Sequence, residues 1–214
     1  MSRSPTAGAV APGAFRLATV PVVLALPLAL VVPLAVPIVA LLGVGAVLLF
    51  HRDPDRNSPT AGVLAPADGR ISVVREEADG RLRVGTFMSP FDVHVNRAPV
   101  AGEIEAVEHR PGAHRPAFSK DSERNERVHV RYAGLEVGDA GFEVDLIAGA
   151  VARRIHPYVA PGEAVGRGER IGHISFGSRV DVVFPEGIDR SALLVETGDA
   201  VRAGETVLAD RRVA

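Results

Sequence analysis

Three stretches of the chain bring together side chains that could do chemistry. One is Ile174-Ser175-Phe176-Gly177-Ser178-Arg179-Val180-Asp181-Val182-Val183. As structure, Gly177-Ser178 is a bend or bulge inside a strand. As chemistry, a Gly-Ser peptide in a tight setting suits self-cleavage, because glycine tolerates strained backbone and lets the hydroxyl approach the preceding carbonyl. It is not a G-x-S-x-G elbow, so a hydrolase triad finds no support. A second stretch is Ser89-Pro90-Phe91-Asp92-Val93-His94-Val95-Asn96-Arg97-Ala98-Pro99. Side chains of an extended segment alternate between faces, so Asp92, His94 and Asn96 share one face while Phe91, Val93 and Val95 take the other. That pattern is either a solvated strand or a carboxylate and imidazole placed as an acid/base pair. The third is Ala65-Pro66-Ala67-Asp68-Gly69, where Asp-Gly is by itself a strong turn signal. No H-x-x-x-H or comparable ligand spacing accompanies these residues, so no metal site is expected. Cysteine is absent, which excludes disulfides, thiolate nucleophiles and Cys-ligated metals.

Short strands must position these residues. Arg70-Ile71-Ser72-Val73-Val74, Val128-His129-Val130-Arg131-Tyr132 and Phe142-Glu143-Val144-Asp145-Leu146-Ile147 alternate polar with apolar residues, each bounded by Gly, Pro or Asp. Short strands at close spacing predict a mainly β, compact antiparallel domain. The segment from Gly162 to Ile171 recurs from Gly198 to Val207 as a turn, a short strand, a second glycine turn and another strand. Such a repeat is typical of a barrel-sandwich like the biotinyl and lipoyl carriers. A carrier needs a modifiable lysine at a hairpin tip, and neither copy has one; Lys120 is the only lysine in the chain.

Composition divides the chain in two. No charged residue lies between Leu17 and Phe50, a run longer than the roughly 20 residues one spanning helix needs. Pro33 and Pro37 interrupt it, which predicts a membrane anchor over 17–50, as a helical hairpin or a single kinked span, behind a disordered stretch 1–16. The run is too long for a cleaved secretory signal and ends without a small-residue cleavage site. Arg3 and Arg16 precede it and Arg52 and Arg56 follow, so the positive-inside rule places both ends in the cytoplasm. Residues 51–214 then form the catalytic β domain. A net charge of -2 gives no reason to expect nucleic acid as a partner.

The three stretches occur in order after Phe50-His51-Arg52-Asp53-Pro54, together with Asn125-Glu126-Arg127 and Ile147-Ala148-Gly149-Ala150-Val151-Ala152-Arg153-Arg154-Ile155. From about His51 to Leu208 the ordered set resembles the short (archaeal-type) phosphatidylserine decarboxylases. The resemblance implies that the Ser178 hydroxyl attacks the Gly177 carbonyl and that β-elimination then separates a β chain, 1–177, from an α chain, 178–214. The α chain would begin with a pyruvoyl group derived from Ser178, and the two chains would remain a heterodimer. That ketone would form a Schiff base with phosphatidylserine and act as electron sink during loss of CO2. Longer relatives use the Asp of Pro-x-Asp-Gly and a His with the serine, and Asp68 matches that Asp. Asp92 and His94 match the start of their Asp-x-His-x-x-His, but Arg97 stands where the second His would be. The resemblance therefore points to His94 as base, oriented by Asp68 or Asp92. Arg97, Arg153 and Arg154 are candidates for the lipid phosphate or carboxylate, since a guanidinium grips either in bidentate fashion.

Two other readings fit part of the sequence. A pyruvoyl decarboxylase of another, soluble amine would leave the apolar anchor without a purpose. A non-catalytic, membrane-tethered barrel-sandwich adaptor explains the anchor and the repeat, but neither Gly177-Ser178 nor the Asp92/His94 pair. The expected location is the cytoplasmic face of the cell membrane.

Overall fold

A computed structural model describes residues 18–23, 25, 33, 35–113, 115, 124–134, 141–150, 154–175 and 178–210. The chain divides into two units, one ending at Asp55 and the other continuous from Arg56.

In the first unit residues 18–23 are helical, and helix α1 spans Ala35–Phe50. Pro37 lies within the first turn of α1, where backbone N–H groups have no intrahelical acceptor, so the proline opens the helix there. Its far end is closed by basic residues. The His51 Nδ1 bonds the Val47 carbonyl at 2.9 Å and the Arg52 guanidinium donates to the Leu49 carbonyl at 2.7 Å. Ile38, Val39, Leu41, Leu42 and Leu49 are exposed. Among the described residues no helix is long and apolar enough to cross a membrane. Residues 1–17, and most of the expected hairpin bend between 24 and 34, lie outside the described residues.

The second unit is mainly β, as the alternating runs predict. Its strands are β1 (Val63–Leu64), β2 (Gly69–Glu76), β3 (Leu82–Met88), β4 (Val95–Arg97), β5 (Gly102–Arg110), β6 (Arg127–Gly134) and β7 (Gly141–Ile147), followed by β8 (Ile155–Pro157), β9 (Ala164–Val165), β10 (Arg170–Ile174), β11 (Ser178–Val183), β12 (Ala200–Val201) and β13 (Val207–Ala209). An eight-stranded sheet has the order β12-β2-β3-β11-β7-β6-β5-β9, beside a three-stranded sheet β4-β10-β8 and the pair β1-β13. Every strand pairing is antiparallel. The core lies on one face of the large sheet, where Leu82, Val84, Val144, Leu146, Val180 and Val182 are buried together. Phe142 and Phe184 close it edge to face at 6.0 Å.

The C-terminal repeat is real in three dimensions. Gly162, Gly168, Gly198 and Gly204 all have positive φ, and β9 and β10 correspond to β12 and β13. The partners of the repeat are themselves a repeat that the sequence reading passed over. The Gly162 N–H donates to the Ile104 carbonyl and the Gly198 N–H to the Ile71 carbonyl; the Gly168 N–H donates to Ala98 and the Gly204 N–H to Ala65. Ala65-Pro66-Ala67-Asp68-Gly69-Arg70-Ile71 is thus the counterpart of Ala98-Pro99-Val100-Ala101-Gly102-Glu103-Ile104.

Gly69, in the first of these segments, crosses close against the end of β3. At φ +143°, a Cβ there would sit 2.0 Å from the Phe87 carbonyl oxygen and 3.3 Å from the Met88 Cα, so both conformation and space require glycine. Gly69→Ala should destabilise the protein by about 2 kcal/mol or more, read as a lowered midpoint of urea unfolding with unchanged slope.

Candidate active site

Ser178 is the first residue of β11 and stands opposite Met88 on β3. Alternation places Ser178, Val180 and Val182 on the core face and turns Arg179 and Asp181 to the other. Ser178 is 0 % exposed, and among the described residues its Oγ has no hydrogen-bond partner. A buried hydroxyl without a partner forfeits about 1–3 kcal/mol. Gly177 and Arg153 lie outside the described residues.

The Asp92/His94 stretch leaves the end of β3 and reaches β4 through a turn. The Asp92 N–H donates to the Ser89 carbonyl at 3.0 Å, and the Ser89 N–H donates back to the Asp92 carboxylate at 2.7 Å. The carboxylate of Asp92 is therefore a turn clamp. Its backbone carbonyl is what holds the imidazole, bonding the His94 Nδ1 at 2.9 Å. A carbonyl only accepts, so Nδ1 carries the proton and the neutral ring keeps its lone pair on Nε2, the tautomer a general base needs. His94 is buried. Its own carbonyl accepts the Ile174 N–H at 3.3 Å. The chain entering the Gly177-Ser178 junction is thus tied to His94, and the chain leaving it is paired with Met88.

Asp68 is held elsewhere. Its carboxylate accepts the Arg56 guanidinium at 2.8 Å and the Ala203 N–H at 2.8 Å, and among the described residues neither His94 nor Ser178 bonds to it. It fixes the turn whose next residue, Gly69, presses on Phe87 and Met88. Of the arginines, Arg97 is buried within the repeat and donates to the Gly168 carbonyl at 3.0 Å. Arg154 is exposed, and its carbonyl accepts the Ser175 N–H at 3.3 Å, which sets it beside the junction. Among the described residues its guanidinium makes no hydrogen bond or ion pair.

Comparison with known proteins gives the family. Residues 45–209 match the family model of phosphatidylserine decarboxylase. The chain belongs to that family. Two members named phosphatidylserine decarboxylase proenzyme, from Streptomyces griseus and Thermobifida fusca, are each 53% identical to it, over 80% and 81% of this chain and 76% of their own length. A Halobacterium salinarum protein, provisionally named archaetidylserine decarboxylase proenzyme, is 60% identical over 76% of this chain and 80% of its own.

Within this phosphatidylserine decarboxylase fold, one feature escaped the sequence reading: the face of the large sheet opposite Ser178 carries a buried ionic network. Along one row of the ladders, Gly85, Asp181, Asp145 and His129 are successive partners. Asp181 receives the Arg179 guanidinium at 2.7 and 2.9 Å. The Arg83 guanidinium bridges Asp145 at 2.7 Å and Asp181 at 3.1 Å, and the His129 Nδ1 lies 2.7 Å from Asp145. A Cβ at Gly85 would meet the Asp181 carboxylate at 2.6 Å, so the missing side chain makes room for the carboxylate. The only sequence signal was the alternation of charged with β-branched residues on β11 and β7, which equally describes a solvated face.

Burial opposes ionisation of Asp145, but the His129 hydrogen bond and the Arg83 charge outweigh it and hold the carboxyl well below the usual range. Burial likewise opposes the charge on Arg83, and Asp181 and Asp145 overcome it, raising that group further above its ordinary value. As pH falls, an unfolded chain protonates Asp145 first, near pH 4. The stability this carboxylate supplies is therefore complete above that pH and is lost progressively below it. Asp145→Asn should cost about 3–5 kcal/mol at pH 7 and flatten the decline of stability below pH 4, as followed by urea unfolding across a pH series.

Proposed function

We propose that this chain is a phosphatidylserine decarboxylase proenzyme that cuts itself between Gly177 and Ser178, then converts phosphatidylserine to phosphatidylethanolamine and CO2. The observation that carries this reading is the Ser178 hydroxyl, fully enclosed at the start of a central strand with no bonding partner among the described residues, in a chain of this family. A serine kept only for structure would not occupy so costly a position. The names of the relatives differ in the lipid part and agree on the serine head group, and the family description favours phosphatidylserine.

In self-cleavage, the Ser178 Oγ adds to the Gly177 carbonyl carbon and passes its proton to the His94 Nε2. The C–N bond then breaks, the nitrogen takes that proton, and an ester replaces the peptide. Loss of the Ser178 α-proton expels the Gly177 carboxylate and leaves dehydroalanine; addition of water and release of ammonia give a pyruvoyl group at residue 178. The surroundings fit this group, since the Ser178 side chain is already shielded from water and β11 is anchored from its first residue. Once formed, it supplies a ketone able to bind the substrate amine and to accept electrons as CO2 leaves. Asp92 keeps the His94 ring oriented through its carbonyl, so His94 also supplies the proton that replaces the lost carboxylate. Arg154 takes the lipid phosphate, supported by its exposure beside Ser175. Asp68 supports the site through the Gly69 turn, and Arg97 through the Gly168 turn.

Segments 1–177 and 178–214 stay together as a heterodimer, because β11 is flanked on both sides by strands of the first segment. The two matched pairs of turns give the β unit a barrel-sandwich character. The uncharged run from Leu17 to Phe50 and the exposed leucines of α1 support attachment to the cytoplasmic face of the cell membrane, where the head group is presented.

Denaturing electrophoresis and mass spectrometry of the purified protein should give two fragments, with the mass of 178–214 matching a pyruvoyl terminus. Ser178→Ala should remain intact and release no CO2 from phosphatidylserine vesicles. His94→Ala should cut itself about 100-fold more slowly or worse. A wild-type chain that stays whole would sink the self-processing mechanism.

A further inference from the structure

Ser178 is not the only polar atom left unsatisfied around Met88. Asn96 is 0 % exposed and its Oδ1 has no partner. Among the described residues its Nδ2 donates only to the Met88 thioether, at 3.6 Å, and a thioether is a weak acceptor. Turning the amide over exchanges the two ends without satisfying both. Thr86, also 0 % exposed, lies two residues before Met88 on the same face of β3, and among the described residues its Oγ1 too has no partner. Three such groups among the described residues thus relate to one methionine: Asn96 on its thioether, Ser178 as its cross-strand partner, and Thr86 two residues before it on the same face. Buried polar side chains are nearly always bonded, and an apolar residue of Asn's size would stabilise this position. The amide is kept for something other than the fold.

From this geometry we infer that Asn96 is the polar group that receives the oxyanion when Ser178 attacks the Gly177 carbonyl. The inference rests on the self-cleavage reading above. As the Ser178 Oγ bonds to the Gly177 carbon and its proton goes to His94, the carbonyl π electrons move onto oxygen. The Asn96 Nδ2 leaves the weak sulfur contact and donates to that oxygen. When the C–N bond breaks, the electrons return to the carbonyl and the amide is released. The carbonyl carbon is bonded to the Ser178 nitrogen, and Ser178 is the cross-strand partner of the Met88 whose thioether Asn96 contacts. A donor whose ground-state partner is poor loses little on switching, so its bond is made chiefly in the transition state. Thr86 has the position of a second donor on the same face.

The test compares freshly synthesised wild-type, Asn96→Leu and Asn96→Asp proenzymes, following loss of the intact chain on denaturing gels. Asn96→Leu should melt at the wild-type temperature or above, yet cut itself about 100-fold more slowly or worse. Asn96→Asp, which loses the donor but keeps the shape, should be similarly slow. Hydroxylamine, which captures an ester, should not restore cleavage in Asn96→Leu, since the ester forms too slowly there. Cleavage of Asn96→Leu within threefold of wild type would overturn the inference. So would slowing matched by a drop in melting temperature, or rescue by hydroxylamine. A wild-type chain that remains whole would instead remove the self-cleavage reading, and this inference with it.

Discussion

β11 runs from Ser178 to Val183 between β3 and β7, and both ladders are continuous along it. On one side Ser178 to Val183 faces Met88 to Arg83, and on the other Arg179 to Val183 faces Ile147 to Glu143. Side chains alternate along a strand, so a slip of one residue would turn Ser178 and the core valines outward and drive Arg179 and Asp181 into the apolar core. Everything else about the site depends on that register. It sets Ser178 against Met88, and Asn96 reaches the same methionine from the neighbouring three-stranded sheet.

The two faces of β11 enforce this register by different physics. On one, Val180 and Val182 join a dry apolar cluster. On the other, the Arg179, Asp181, Arg83, Asp145 and His129 network leaves no charge without a counterpart. Removing charges from water is costly, and a buried pair is weak evidence for net stability. Its value here is discrimination. The carboxylates of Asp181 and Asp145 meet guanidinium and imidazole donors in one alignment of β3, β11, β7 and β6, and Gly85 leaves space for Asp181 in that alignment alone. Charge pairing behind the sheet thus holds Ser178 in front of it.

Much of this was legible in the amino-acid sequence. Alternating runs gave the antiparallel strands, the glycine spacing gave one repeat, and the ordered motifs singled out Ser178, Asp92 and His94. Other features were not, for physical reasons. Asp92 orients His94 through a carbonyl, and a main-chain contact has no residue-type signature. The second repeat, Ala65–Ile71 against Ala98–Ile104, rests on a few small residues whose likeness is plain only once the same backbone bonds are seen to end on them. Pro37 reads as a helix breaker by type, yet two residues into α1 it costs no hydrogen bond. A charge that alternates with valine looks the same whether water or another strand covers it, so the network behind β11 was hidden. Asn96 could not be distinguished from a solvated residue until its amide was found in the dry interior beside a thioether.

The segment after the Gly177-Ser178 junction gives β11 to the middle of the large sheet, β12 to its edge against β2, and β13 to a pair with β1. The cut proposed there would leave every one of these ladders in place, so the native protein would scarcely register the break. The unfolded state would register it fully. Before the cut, refolding is a search within one molecule, independent of dilution; after it, refolding requires two polypeptides to find each other, and the folded fraction depends on their concentration. The proposed cut at this peptide bond would convert a reversible folder into an assembly not readily recovered once lost, with a working lifetime governed by how slowly the interlocked strands come apart.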